Sequence, residues 1–212
     1  MAALSRSALI RAINTEGLNI SPILSGKQIG ASSVDLRMGT VARVARAGAQ
    51  SHVDAAGYLH KNGGSTHGQT ELRQQKHTRY DIPFGKSFLL HPGALVLVPT
   101  LEWVSIPPSL QGIVTARSSW AREGLNIATA TIVNPGYAGI VTLELANFGQ
   151  IPITLKPGLR LAQIAFYRLE AADAASDVRH LKSKGKFNGH FEPSAGNIAQ
   201  DDEVFVRLRT PA

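Results

Sequence analysis

"KSFLLHPGALVLVPTLEWVSIPP", residues 86–108, is the stretch on which the fold turns. Short runs of Leu, Val, Phe and Trp are separated by a Pro-Gly break at Pro92-Gly93 and closed by Pro107-Pro108. Such runs between turn dipeptides read as strands. Working outward, "GIVTARS" (112–118), "GIVTLELANFG" (139–149) and "LRLAQIAFYRL" (159–169) repeat the pattern from about Phe84 to Leu169. This is the signature of an all-β barrel or sandwich. A parallel α/β architecture needs intervening helices, and no segment fits one. Upstream, "LSRSALIRAINTEG" (4–17) reads as a short helix, with Ser5 as N-cap, Leu9 and Ile13 on one face and Gly17 as the stop. Between Ala45 and Pro83 the composition shifts to Gly, His, Gln and basic residues, which predicts a surface excursion. After Glu170 the chain turns polar, small and basic. The plan is therefore one domain over 1–170, including an excursion at 45–80, and a mobile C-terminal arm over 171–212.

Composition bounds the function. A chain of 212 residues supports one sizeable core. Arg6 and Arg11 interrupt what would have to be the apolar part of a signal peptide, and no run of about 18 apolar residues occurs, so a soluble, cytoplasmic protein is expected. The net charge is +7, which favours a polyanionic partner such as nucleic acid or a nucleoside triphosphate. Arg43, Arg46, Arg73, Lys76 and Arg79 lack interleaved aromatics for base stacking, which points away from nucleic acid. His52, His60, His67 and His77 are irregularly spaced, with no i, i+4 helical pair, and read as solvated loop histidines rather than metal ligands. With no cysteine, the chain has neither disulfides nor the thiolates of Cys-x-x-Cys zinc sites.

Two stretches carry candidate chemistry. In "TARSSWAREGLN" (115–126), Arg117, Ser118, Ser119 and Arg122 gather guanidinium, hydroxyl and backbone N–H donors that suit a phosphate chain. In "NPGYAGIVTLELANFG" (134–149), one carboxylate, Glu144, stands inside an apolar strand. It lies either on the solvent face or buried with a partner and a raised pKa. Alternation leaves both open, because Val141, Leu143 and Leu145 point one way and Thr142, Glu144 and Ala146 the other.

"ARSSWAREGL" (116–125), "NPGYAGIVTLEL" (134–145), "PGLRLAQIAFY" (157–167), "ASSVDLRMG" (31–39) and the helix "LSRSALIRAINTEGLNISP" (4–22) resemble, in order and spacing, the dCTP deaminase family, which belongs with the trimeric dUTPases. The tail "GKFNGHFEPS" (185–194) is similar to that family's closing segment, with Phe187 for Tyr and His190 for Gln. The resemblance implies a mainly β fold, a distorted dUTPase-like barrel (β-clip), and a homotrimer with active sites at subunit interfaces. It also implies a bound dCTP whose triphosphate carries Mg²⁺, without zinc, and dUTP made for thymidylate synthesis. By the same resemblance Glu144 matches the catalytic carboxylate. Ser118 and Arg122 match residues beside the reacting ring, and Ala130 a residue whose backbone helps hold water. Arg117, Ser118, Ser119, Asn134, Tyr137, Arg160, Gln163, Lys186 and His190 match or neighbour nucleotide-binding positions. Asp35 aligns with the first family motif, as a functional or a structural Asp.

Cytosine deamination requires hydroxide at C4, and the common route generates it on zinc held by His and Cys ligands. A chain without cysteine lacks that ligand set. A metal-free route needs a carboxylate able to take a proton from water near neutral pH, and a cation or hydroxyl to position it. Glu144, Arg122 and Ser118 supply that inventory. Where many family members read His-Arg-Ile-Asp-Pro-Gly, this chain reads Thr131-Ile132-Val133-Asn134-Pro135-Gly136. Asn134 replaces the Asp that in dUTPases orients the water cleaving the phosphate chain. The readings are thus a deaminase giving dUTP, a bifunctional deaminase and pyrophosphatase giving dUMP, and a nucleotide-binding protein with decayed catalysis. Glu144 argues against the last and Asn134 against the second.

Overall fold

The computed structural model describes residues 2–45, 77–127, 131–169, 189 and 191–193. Its first element is helix α1 (Arg6–Thr15), where the Ser5 hydroxyl accepts from the Ala8 amide at 3.4 Å and buried Leu9 and Ala12 turn one face inward. Gly17, at φ +80, ends it in a conformation that residues with a Cβ rarely adopt. Strands follow: β1 (Asn19–Ser21), then, past a 3₁₀ turn at Gly26–Gln28, β2 (Val34–Arg37), β3 (Val41–Ala45) and β4 (His77–Asp81). The end of the expected excursion is thus a regular strand paired with β3, and residues 46–76 lie outside the described residues. Beyond come β5 (Phe88–Leu90), β6 (Leu95–Ser105), β7 (Leu110–Ala116), helix α2 (Ser118–Arg122), β8 (Leu125–Ile127), β9 (Ile132–Val133), β10 (Ala138–Asn147), β11 (Ile153–Leu155) and β12 (Arg160–Arg168).

The architecture is mainly β. One sheet runs β4-β3-β6-β10-β8 with β1 also on β6; a second runs β2-β12-β7-β9; β11 and β5 form a third. Among the described residues the hydrogen-bonded ladders do not close into one ring, so the barrel is distorted into sheets around a shared core. The two runs of the 86–108 stretch part company: β5 pairs with β11, whereas β6 pairs with β10. Alternation explains the core, since Val96 and Val98 of β6 lie opposite Leu145 and Leu143 of β10 and turn inward with Val104 and Val141, joined by Leu36, Leu161 and Phe166 from the second sheet. Among the described residues no helix is long and apolar enough to cross a membrane.

The end of β10 is stitched by Asn147, which is fully buried. Its amide nitrogen donates to the Leu90 and Ile151 carbonyls at 2.9 and 2.8 Å, and its oxygen accepts from Gly149 at 2.8 Å. The chain leaving α2 packs directly on this turn, because Gly124 has φ +87 and a Cβ there would stand 2.7 Å from the Gly149 nitrogen. Gly124→Ala should therefore cost about 1–3 kcal/mol of overpacking on top of about 1 kcal/mol of backbone strain. Gly85→Ala, at φ +84 with open space around it, should cost the strain alone. Denaturant unfolding of the two variants checks the difference.

Candidate active site

Glu144 lies in the interior of the largest sheet. It faces Leu97 of β6 on one side, and its neighbour Leu145 pairs with Ile127 of β8 on the other. Its side chain points away from the core, with Ile140, Thr142, Leu97 and Trp103, yet Leu97 and Ile140 are each only 9% exposed. This face is not open solvent. Glu144 is half-buried, and burial raises its carboxyl above the usual carboxylate value. Each of the two alternatives left open by the strand pattern is thus partly right, because the outward face is itself sheltered.

The second sheet holds a cation cluster. Asp35 of β2, only 7% exposed, accepts from Arg117 at the end of β7 through Oδ1, and from Arg160 Nη1 of β12 through Oδ2 at 3.1 Å. Two guanidiniums share one carboxylate, which leaves a formal charge of about +1 on partly exposed groups. Among the described residues, one terminal nitrogen of each Arg is engaged by a side chain, so the remaining donors stay available to an anion. Around them Gln163 donates to Thr115 Oγ1 and accepts from Ser33 Oγ, both at 3.3 Å. The Trp120 indole donates to the Arg160 carbonyl at 2.9 Å, and the Arg117 amide to that of Leu161 at 3.0 Å. Helix α2 is thereby tied to β12, with Arg117 as its N-cap residue.

Ser118, Ser119 and Arg122 are exposed on α2, beside a cavity of about 200 Å³ lined by Ala116, Ala121, Leu125, Asn126 and Phe148. Asn134 is exposed, and its carbonyl accepts from the Tyr137 amide at 3.2 Å. Tyr137 turns its hydroxyl inward to donate to the Ile140 carbonyl, and burial pushes its pKa up to about 12, so the phenol stays protonated. The hydroxyl is thus engaged with the first residues of β10. Ala130, Lys186 and His190 lie outside the described residues. The structure therefore unites Asp35, Arg117, Arg160 and Gln163 on one sheet and places Glu144 on another.

One part of the site was missed in the sequence. Register aligns Arg79, Arg43, Leu97 and Glu144 in a row across β4, β3, β6 and β10. Glu192 bridges Arg43 at 3.2 Å and Arg79 at 3.1 Å, Phe191 stacks on Trp103 with centroids 4.8 Å apart, and Gly189 donates to the Ala138 carbonyl at 2.7 Å. The described residues of the arm thus lie on the same sheet face as Glu144. No local pattern announces a contact between residues 149 apart in the chain.

Residues 3–169 match the family model described as dCTP deaminase-like. The chain is 34% identical over 192 residues to a dCTP deaminase of Shewanella amazonensis, covering 90% of this chain and 95% of the relative. It is 35% identical over 176 residues to a protein of Dictyoglomus thermophilum named dCTP deaminase, dUMP-forming, covering 82% and 83% respectively. In fold it is similar to the crystal structure of 2'-deoxycytidine 5'-triphosphate deaminase from Agrobacterium tumefaciens, with a TM-score of 0.58 and 22% identity, covering 86% of this chain and 52% of that longer one. A match over nearly the whole described domain, with close relatives along most of their length, places this chain in the dCTP deaminase family of enzymes.

Proposed function

We propose that this protein hydrolyses dCTP to dUTP and ammonia, with Glu144 as the base. The observation that carries this reading is the sheltered carboxylate of Glu144, raised by burial and set in the middle of a rigid sheet. A carboxylate at its ordinary pKa is a weak base, whereas a raised one takes a proton from water more readily. Glu144 removes the proton, the hydroxide adds to C4 of the ring, and the proton passes through the carboxyl to the ring nitrogen or the departing amine. The C4–N bond then breaks and ammonia leaves. Ser118 and Arg122 are assigned to orient water and ring, and the Ala130 backbone to hold the water.

Arg117 and Arg160 are assigned to the triphosphate, with Ser119, Gln163, Lys186 and His190 around it. Both Asp35 oxygens are occupied by guanidinium donors, so the cluster offers Mg²⁺ no unpaired carboxylate, and the ion is expected to arrive on the nucleotide. There it would neutralise phosphate charge. Glu144 and the cation cluster lie on different sheets and Ser118, Ser119 and Arg122 are exposed, which fits a site completed between subunits; the homotrimer itself is assigned from the family resemblance. The arm over 171–212 is assigned to cover that site, and a cytoplasmic enzyme is expected.

The dUMP-forming name of the Dictyoglomus relative favours a second reading, in which the same site also cleaves the phosphate chain. Asn134 opposes it, because a neutral amide is a poor proton acceptor. Purified protein incubated with dCTP and Mg²⁺ should give dUTP without dUMP or pyrophosphate on ion-exchange chromatography. Direct formation of dUMP would select the second reading, and bound but unchanged dCTP would indicate lost catalysis.

Glu144→Gln keeps the shape and removes the proton acceptor. Turnover should fall at least about 10²-fold while dCTP still binds, as read by single-turnover kinetics and calorimetry. Because burial raises the Glu144 pKa, the charged, active form is lost as pH falls through that raised value. The acidic limb of kcat/KM should therefore lie above the ordinary glutamate range, and a limb at or below that range would remove Glu144 from the role of base.

A further inference from the structure

Among the described residues, strand β2 forms one edge of the β2-β12-β7-β9 sheet, and its other side carries no full strand, only an isolated backbone bridge between Val34 and Ile29. Successive residues of a strand send their N–H and C=O groups to opposite sides, and those of Asp35 and Arg37 face the unpaired one. Beyond that bridge, two side chains among the described residues occupy it. The Gln28 amide nitrogen donates to the Asp35 carbonyl at 3.0 Å, and Glu102 Oε2 accepts from the Arg37 amide at 2.8 Å. The two are linked, because the same Gln28 nitrogen donates to Glu102 Oε1 at 2.8 Å. Gln28 Oε1 accepts from the Leu24 amide at 3.1 Å, and Arg37 Nη1 reaches Glu102 Oε1 at 3.3 Å. Both Gln28 and Glu102 are fully buried. Burial raises the Glu102 carboxyl, while the Arg37 amide and guanidinium oppose that rise.

We infer that Gln28 and Glu102 are positioning residues for phosphate recognition: they replace the missing strand beside β2 and so hold Asp35 where it aligns Arg117 and Arg160. The inference rests on the assignment of those two arginines to the triphosphate. Asp35 lies between two constraints, Gln28 at its carbonyl and β12 across the sheet, where it is paired with Gln163. With both in place its carboxylate has one orientation, and the two guanidiniums that share it are preorganised before nucleotide arrives. Without the Gln28 amide, the Asp35 carbonyl loses its side-chain donor and Glu102 Oε1 keeps only Arg37 Nη1, so β2 is held at this edge by the backbone bridges of Val34 and Met38 and by less side-chain support. Gln28 bonds directly to the Asp35 carbonyl and reaches Glu144 only through Glu102 and the pairing of β6 with β10, so the larger effect is assigned to binding.

Gln28→Met keeps the volume and removes both donors. In the full-length enzyme it should raise KM for dCTP about tenfold and change kcat less than about twofold, while inhibition by dCMP, which lacks the outer phosphates, stays near wild type. Arg160→Ala, measured in parallel, tests the underlying assignment. If Arg160→Ala raises KM for dCTP and a folded Gln28→Met does not, the positioning role is wrong. If neither changes KM, the phosphate assignment itself fails. A purely structural role for Gln28 would lower the melting temperature and the active fraction at unchanged KM, which also overturns the inference. Should Gln28→Met not fold, Gln28→Asn, one methylene too short to span both acceptors, is read by the same KM and dCMP comparison.

Discussion

Asp35 must be neutralised, since an almost buried carboxylate without a partner is costly, and the way this chain meets that requirement organises much of the molecule. Its partners come from the end of β7 and the start of β12, so one ion cluster ties together three strands of the second sheet. Arg117 is also the N-cap residue of α2, and Arg160 offers its carbonyl to Trp120 of the same helix. The orientation of "RSSW" against the sheet therefore follows from electrostatics as well as from packing. Because one carboxylate faces two guanidiniums, the cluster keeps an excess of positive charge at the surface. A structural ion pair of equal charges would carry no such excess.

Glu144 is governed by a different constraint. Its strand is held on both sides, by β6 and by β8, and its inward neighbours Leu143 and Leu145 are fully buried. The backbone that carries this half-buried carboxylate is thereby fixed, and the partial burial of the group raises its basicity. The turn at Asn147 and the contact of Gly124 with Gly149 then fix where α2 leaves the sheet. Rigidity is distributed in this way over groups that perform no chemistry. Such support is what holds a reacting constellation in register.

Much of this was legible in the residues. Short apolar runs between Pro-Gly breaks marked β6, β7, β10 and β12, and Ser5 and Gly17 marked the ends of α1, because turn and cap chemistry is local. The family motifs pointed to Asp35, Arg117, Arg160 and Gln163, which the fold gathers into one cluster. The partition of β5 from β6 was not legible, since nothing in "FLLHPGALVLV" distinguishes a hairpin from two strands bound for different sheets. The bond from the Tyr137 hydroxyl to the Ile140 carbonyl of β10 was not legible either, because it depends on how the turn at 134–137 folds onto the strand.

By itself, then, the sequence determined the class of the fold, the positions of most strands, the inventory of charged groups and the absence of thiolate ligands, all of which depend on residue identity and short-range spacing. Only the tertiary structure decided that Glu144 is sheltered while facing away from the core, because that depends on neighbours from β6 and β8. It alone decided that Gln28 and Glu102, 74 residues apart, together cap the open edge of β2, and that Glu192 meets Arg43 and Arg79. Burial and register are properties of assembled strands, and a carboxylate's pKa follows the surroundings that assembly provides.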